Sequence, residues 1–225
     1  MLEDELWARG IQRIAGIDEA GRGSLAGPLV AACVVFAGRS DLTLYRDSKK
    51  LQPNSRERLF DRIIQKAESV GIGMADERLI DLVGIQRANR HAFREALDRA
   101  FSRPAPDYLL LDWLALPGIP IPSMVLSKAE SRSFTVAAAS IVAKVWRDRI
   151  MKEWYHASFP QYGFSAHKGY GTRLHRERIS CFGLSDAHRR SFCGKYEKDS
   201  SYGTERRSGG PALYRETLGD ESIRN

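Results

Sequence analysis

Apolar positions along this chain follow two rhythms that alternate from one end to the other. Short apolar runs bounded by turn residues predict strands over Ile11 to Asp18, Pro28 to Phe36, Ile72 to Ala75, Tyr108 to Asp112 and Met124 to Leu126. The second is nearly continuous in Val, Ala, Leu and Cys, which suits a central place in a sheet. Between them the spacing becomes helical. Leu59, Phe60, Ile63, Ile64 and Ala67 predict a helix that starts near Pro53 and stops before Gly71. Leu79, Leu82, Val83, Ile85, Ala88, Ala92, Ala96 and Leu97 predict one long helix over 77–101, halted by the stretch Ser102 to Pro106. Val136, Ile141, Val145, Ile150, Met151 and Trp154 predict another over 135–157, in which Ala137 to Ser140 are small enough to lie close on a sheet. Residues 1–10 read as a short helical or loose leader.

Three of the apolar strands run into acids: Asp18-Glu19, Asp112 and, just past the third, Glu130. One such ending is commonplace, and an Asp-Glu pair before a Gly-rich turn is most often a solvated hairpin end. Three are another matter. If the strands are neighbours pointing the same way, four carboxylates meet at one edge, where their repulsion is relieved only by something positive. Hard divalent cations bound by carboxylate oxygens do this, and Mg²⁺ or Mn²⁺ ions in pairs about 3.5–4 Å apart serve many nucleases. The octet Gly16 to Gly23 adds a glycine-bracketed Arg22 directly after the first two acids, a turn that lets a ligand approach the main chain.

Charge narrows the partner. The net charge is +7, and residues 194–225 hold six Lys/Arg against six Asp/Glu, so the whole surplus lies in the part that should fold. Residues 166–190 alone carry six Lys/Arg against two acids, together with His167, His175 and His188. A polyanion is the fitting partner. At 225 residues, with 43% hydrophobic and 28% charged positions, the chain suits one substantial core: a domain over 1–193 and a polar, disordered tail over 194–225. No apolar run is long enough to span a membrane, and the acidic start Glu3-Asp4-Glu5 is unlike a secretory signal. Cys33, Cys181 and Cys193 form no CxxC pair, which points away from a disulfide framework or a zinc site and toward the cytoplasm.

With these residues in view, the chain resembles bacterial ribonuclease HII, of the type 2 ribonuclease H family. The matching stretches are Ala15 to Pro28, Asp47 to Leu51, Leu110 to Asp112, Ala137 to Asp148, His167 to Thr172 and His188 to Phe192, in the family's order. The resemblance implies an α/β ribonuclease H-like fold, with a mixed sheet of about five strands flanked by helices and a C-terminal helical extension from about residue 158. It implies an endoribonuclease that hydrolyses the RNA strand of RNA–DNA hybrids. Such an enzyme also nicks duplex DNA 5′ of embedded ribonucleotides, leaving a 3′-hydroxyl and a 5′-phosphate.

Carried over by position, Asp18, Glu19 and Asp112 would be metal ligands for two Mg²⁺ or Mn²⁺ ions. The family's fourth acid is an aspartate in a Lys-Gly/Ala-Asp triplet, and here Lys128-Ala129-Glu130 stands in its place. Asp148 is a rival for that role, although Lys144 four residues earlier reads as its helix-surface ion-pair partner. Gly21, Arg22 and Gly23 would read the 2′-hydroxyl, largely through the main chain, and Tyr170 would pack against the neighbouring sugar. Lys49, Lys50 and Lys168 are candidate phosphate contacts, while Arg189 and Arg190 either extend that track or cap the fold. The competing readings are a ribonuclease HIII-like hybrid nuclease and a hybrid-binding module without catalysis. The expected protein is a monomer, and residues 194–225, lacking Gln, Phe and Trp, show no recognisable sliding-clamp peptide.

Overall fold

A computed structural model describes residues 1–38, 53–101 and 105–197. In chain order its elements are α1 (Leu2–Ala8), β1 (Arg13–Ala20), β2 (Leu29–Ala37), α2 (Pro53–Lys66), β3 (Ser69–Ala75), α3 (Glu77–Val83), α4 (Ile85–Ala100), β4 (Tyr108–Asp112), β5 (Ser123–Leu126) and α5 (Phe134–Ile150). Helix α5 runs on through a π-helical turn, Met151–Tyr155, into α6 (His156–Ser158), followed by α7 (Phe164–His167), α8 (Arg173–Phe182) and α9 (Arg190–Glu197).

One mixed sheet of order β3-β2-β1-β4-β5 organises the molecule. Strand β1 pairs antiparallel with β2 along its whole length, Arg13 opposite Ala37 through Ala20 opposite Val30. On its other side β4 lies parallel, Ile14 opposite Tyr108 through Ile17 opposite Leu111, and β5 lies parallel outside β4. The carboxyl ends of β1, β4 and β5 therefore share one edge of the sheet. One step beyond the pair Ile17/Leu111 come Asp18 and Asp112.

Side chains alternate along a strand, so β1 and β2 bury both faces. Ala20, Val30, Ala32, Val34 and Phe36 pack with Ala137, Ala138 and Ile141 of α5. Ala15, Ile17, Leu29, Ala31, Cys33 and Val35 pack with Ala88, Ala92, Phe93 and Ala96 of α4. Two-sided burial explains why β2 reads as a continuous apolar run.

Several element boundaries depart from the sequence expectations, and the leader takes the helical of its two expected forms. The long helix of 77–101 is two helices broken at Gly84, whose φ of +78° no helix tolerates and which glycine adopts freely. Strand β3 begins at Ser69 rather than Ile72, since Gly71 and Gly73 leave its face bare for α4: a Cβ on either would lie 2.0 Å from the Ala96 or Ala92 carbonyl oxygen. The leader is a docked helix. Glu3, fully buried, accepts from the Thr135 amide at 2.9 Å and from the Ser133 and Thr135 hydroxyls, placing a carboxylate at the start of α5. At the other end α9 runs to Glu197, past the boundary set at residue 193, because Asp81 accepts from the amides of Arg190 and Ser191 and Cys193 is buried. The rest of the tail, like Lys49, Lys50 and the Asp47 to Leu51 motif, lies outside the described residues.

Candidate active site

β1 runs on past Asp18 to Ala20 and takes in Glu19 as well, so the strand's alternation sends the two acids to opposite faces. Asp18 is on the α5 face, where the Ser140 hydroxyl favours its charged form, and its Oδ1 accepts the Glu19 amide at 2.7 Å. Glu19 is on the α4 face, where the indole Nε1 of Trp113 donates to its Oε1 at 2.9 Å. The two carboxylates share only the strand's edge. Asp112 closes that edge from β4, its Oδ1 accepting the Ala129 amide at 3.0 Å. This bond fastens the turn Ala129–Ser131, and with it the main chain of Glu130, beside β4. The Glu130 side chain lies outside what the structure describes.

The electrostatics of this edge are adverse. Burial, then the charges of Glu19 and Asp112, push the Asp18 carboxyl well above the usual range, although Ser140 opposes them. Burial also raises Glu19, and Asp112 adds to it, against the bond from Trp113 and the nearby Asn89 amide and Arg22 guanidinium. Glu19 Oε2 is buried with no hydrogen-bond partner, and Asn89, wholly buried on α4, has both amide atoms unbonded. Among the described residues no three acidic, histidine or cysteine side chains form a closed metal cage. Hard oxygen donors, mutual repulsion and an orphaned carboxylate oxygen nevertheless suit a divalent cation that keeps part of its water shell.

Beside the acids runs a cleft of about 410 Å³, lined by Glu19, the turn Gly21–Gly23, Arg56, Ser140, Lys144 and Tyr170 among others. Two fully buried arginines shape the turn. Arg147 donates to the carbonyls of Pro28, Lys168 and Ala26 at 2.8, 2.9 and 3.2 Å. Arg189 donates to those of Gly27 and Arg22, both at 2.9 Å. Burial, with Arg147 nearby, lowers Arg189 to about 9. Arg189 is thus a clamp inside the fold rather than part of a phosphate track. Gly21 has a φ of +87°, and a Cβ there would lie 1.9 Å from Arg147 Nε. The Tyr170 ring centroid is 5.2 Å from both Lys144 Nζ and Arg147 Cζ. Lys144 also pairs with Asp148 at 2.6 Å. Lys168 donates its ammonium to the Ser165 carbonyl and does not line the cleft.

The loop that carries Tyr170 rests on three buried histidines. The Ser185 amide donates to His188 Nδ1 at 3.0 Å, so the neutral ring carries its proton on Nε2. That proton bonds His175 Nε2 at 3.2 Å, and His175 Nδ1 then donates to the Tyr170 carbonyl at 3.0 Å. His167 stacks on His175 with ring centroids 4.3 Å apart. The chain works only with neutral rings. Burial, with the neighbouring imidazoles, pushes His175 down to about 4 and His188 to about 3. The unfolded chain therefore takes up protons that the folded one refuses as pH falls below about 6.5. The stability contributed by the neutral rings is full above that pH and is lost on the way down toward 4 and 3. Urea unfolding at pH 7.5 and pH 5 is expected to differ by on the order of 2–4 kcal/mol from these two rings, with a smaller difference in His188→Gln.

The sequence offered no reason to single out Arg56, Lys144 as a cleft cation, Trp113, Asn89 or Arg147. Arg147 and Lys144 do sit inside the stretch Ala137 to Asp148, so the signal lay there unread.

The sheet, its flanking helices and the acids at the carboxyl ends of parallel strands define the class, an α/β nuclease of ribonuclease H-like fold. A family model described as Ribonuclease HII matches residues 15–195. Ribonuclease HII of Dehalococcoides mccartyi is 46% identical over 193 residues, 84% of this chain and 90% of that protein. The ribonuclease H2 structure from Pyrococcus horikoshii has a TM-score of 0.68 at 25% identity, over 83% of this chain and 97% of that one. The ribonuclease HII of Archaeoglobus fulgidus, solved in complex with PCNA, has a TM-score of 0.65 at 28% identity, over 78% and 93% of the two chains. The chain belongs to the ribonuclease HII family. It is an endoribonuclease acting on RNA–DNA hybrids, from a divalent-metal-dependent family. No helix among the described residues is long and apolar enough to cross a membrane.

Proposed function

We propose that the enzyme cuts on the 5′ side of a ribonucleotide, within hybrids and at single ribonucleotides embedded in duplex DNA, leaving a 3′-hydroxyl and a 5′-phosphate. The observation that carries this reading is the edge where Asp18, Glu19 and Asp112 act on one another beside a cleft walled by the Gly21–Gly23 turn and Tyr170. Asp18, Glu19, Asp112 and Glu130 would hold Mg²⁺ or Mn²⁺, two ions in the full complex. Bound there, the metal would supply an activated water and charge neutralisation at phosphorus.

The chain's own residues do the rest. The turn Gly21–Gly23 brings main chain close to the sugar, where one hydroxyl separates RNA from DNA. Arg189 and Arg147 hold the carbonyls around that turn, so its shape is set before substrate arrives. Tyr170 offers a ring face to the neighbouring sugar, and the histidine chain keeps its loop in place. Arg56 and Lys144 supply positive charge along the cleft for the phosphates. Residues 1–193, with the helical extension from about 158 and the remainder of α9 to Glu197, form the catalytic domain of a monomeric cytoplasmic enzyme.

The test is a DNA duplex bearing one ribonucleotide, an all-DNA duplex and a continuous hybrid, each incubated with the protein in Mg²⁺ or Mn²⁺. The expected result is a nick 5′ of the ribonucleotide, with the stated ends, and no cut in all-DNA. Cleavage of the hybrid alone would move the assignment to the HIII-like reading. Binding without any cleavage would leave the non-catalytic module.

A further inference from the structure

Trp113, directly after Asp112, is held in a conformation that an aromatic residue rarely adopts. Its φ is +44°, in the left-handed region, where a Cβ crowds the backbone. Among the described residues only Trp113, Lys128 and Lys168 are non-glycine positions of this kind, each within two residues of a candidate site residue. Strain of this sort persists where the surroundings enforce it, and it gathers at functional sites.

The unusual backbone places the indole between two site residues. Its amide donates to the Leu126 carbonyl of β5 at 2.8 Å, which anchors the main chain. The indole Nε1 donates to Glu19 Oε1 at 2.9 Å. The Arg22 guanidinium lies over the same ring, Cζ 3.6 Å from the centroid. The ring also packs against the apolar cluster on the α4 side of the sheet, which fixes its plane. One rigid side chain thus touches an acid of the catalytic edge and the arginine of the glycine turn.

We propose that Trp113 is a positioning residue that sets the Glu19 carboxylate for metal and the Arg22 guanidinium for substrate. Its donated bond occupies Oε1 and leaves Oε2, buried and without a partner, as the oxygen offered to a cation. Its ring holds the exposed Arg22 side chain in one place above the cleft. A residue that only filled space would need neither the indole nitrogen nor the guanidinium stack. The proposal rests on reading Glu19 as a metal ligand and Arg22 as part of the substrate-reading turn.

The experiment separates these layers. Mn²⁺ is titrated into the full-length protein without nucleic acid, following the free ion by electron paramagnetic resonance, for the wild type, Glu19→Gln and Trp113→Phe. Affinity for a one-ribonucleotide duplex relative to an all-DNA duplex is then measured in EDTA for the wild type, Arg22→Ala, Trp113→Phe and Trp113→Gly. Glycine accepts the left-handed φ without strain, so Trp113→Gly removes the ring while favouring the native backbone.

Glu19→Gln and Trp113→Phe are both expected to weaken Mn²⁺ binding, the latter by about tenfold. Trp113→Phe keeps a ring under Arg22 and is expected to hold the wild-type preference for the ribonucleotide. Trp113→Gly is expected to lose roughly two- to fivefold of that preference, as Arg22→Ala does. Weakened binding in Glu19→Gln with wild-type binding in Trp113→Phe would overturn the positioning role. So would a folded Trp113→Gly that keeps its full preference while Arg22→Ala loses it. If Glu19→Gln itself binds Mn²⁺ like the wild type, the ligand reading of Glu19 fails instead. Should Trp113→Gly not fold, the Mn²⁺ titration of Trp113→Phe decides alone.

Discussion

Asp112→Asn is expected to lower cleavage of a one-ribonucleotide duplex by on the order of 10³-fold or more while leaving duplex affinity within a few-fold of wild type. The substitution keeps Oδ1, so the bond from the Ala129 amide and the turn that carries Glu130 are preserved. What it removes is one negative charge from an edge where Asp112 also raises Asp18 and Glu19. Loss of rate without loss of fold or binding would mark a group needed for the chemical step. Single-turnover cleavage and a binding titration in EDTA measure the two quantities separately. A variant that still cut would strip Asp112 of its role.

Gly21→Ala is expected to carry the next largest effect, and it acts through shape. A methyl group there meets the Arg147 guanidinium, a fully buried side chain held by three carbonyls, and the φ of +87° adds strain of its own. Neither partner can yield cheaply, because moving Arg147 leaves a buried cation with unpaired donors. We expect a stability loss of about 2–4 kcal/mol by urea unfolding, from the clash and the strained φ together. In the folded fraction, the preference for a ribonucleotide over all-DNA should collapse, since the turn that touches the sugar must shift. A wild-type melting temperature and preference would show that the turn is not clamped.

Much of this was legible in the residues, for physical reasons that differ from part to part. Strands buried on both faces, such as β2, announce themselves as unbroken apolar runs. The acids of β1 and β4 stood out because a charge at the end of such a run needs a reason. Gly84 hid its break because glycine inside a helical pattern is usually tolerated. Strand β3 hid its first residues because Gly71 carries no apolar signal and interrupts the run. The opposed faces of Asp18 and Glu19 follow once β1 is known to extend through Ala20, which a strand thought to end at Asp18 could not reveal.

The roles of Arg147, Arg189 and Trp113 lay deeper. Each works through main-chain carbonyls or side chains far off in the sequence, 91 residues for Arg22 and Trp113 and 167 for Arg22 and Arg189. Composition reads buried arginines as surface charge, and only the fold shows that these two neutralise carbonyl dipoles around the glycine turn. The histidines of the basic stretch are similar. Nothing in their spacing marks them as a unit, and only the fold shows a neutral internal strut beneath Tyr170.

The central claim is that the acid edge is a destabilised arrangement relieved by a cation, and the melting temperature of Asp18→Asn measures it most directly. Burial and two neighbouring carboxylates work against a charged Asp18, so the neutral amide should make the metal-free protein more stable than wild type in EDTA at pH 7.5. Adding Mn²⁺ should raise the wild-type melting temperature by several degrees and move the variant much less, narrowing or reversing the gap. A variant less stable than wild type in EDTA, or one that gains as much from Mn²⁺, would contradict the account.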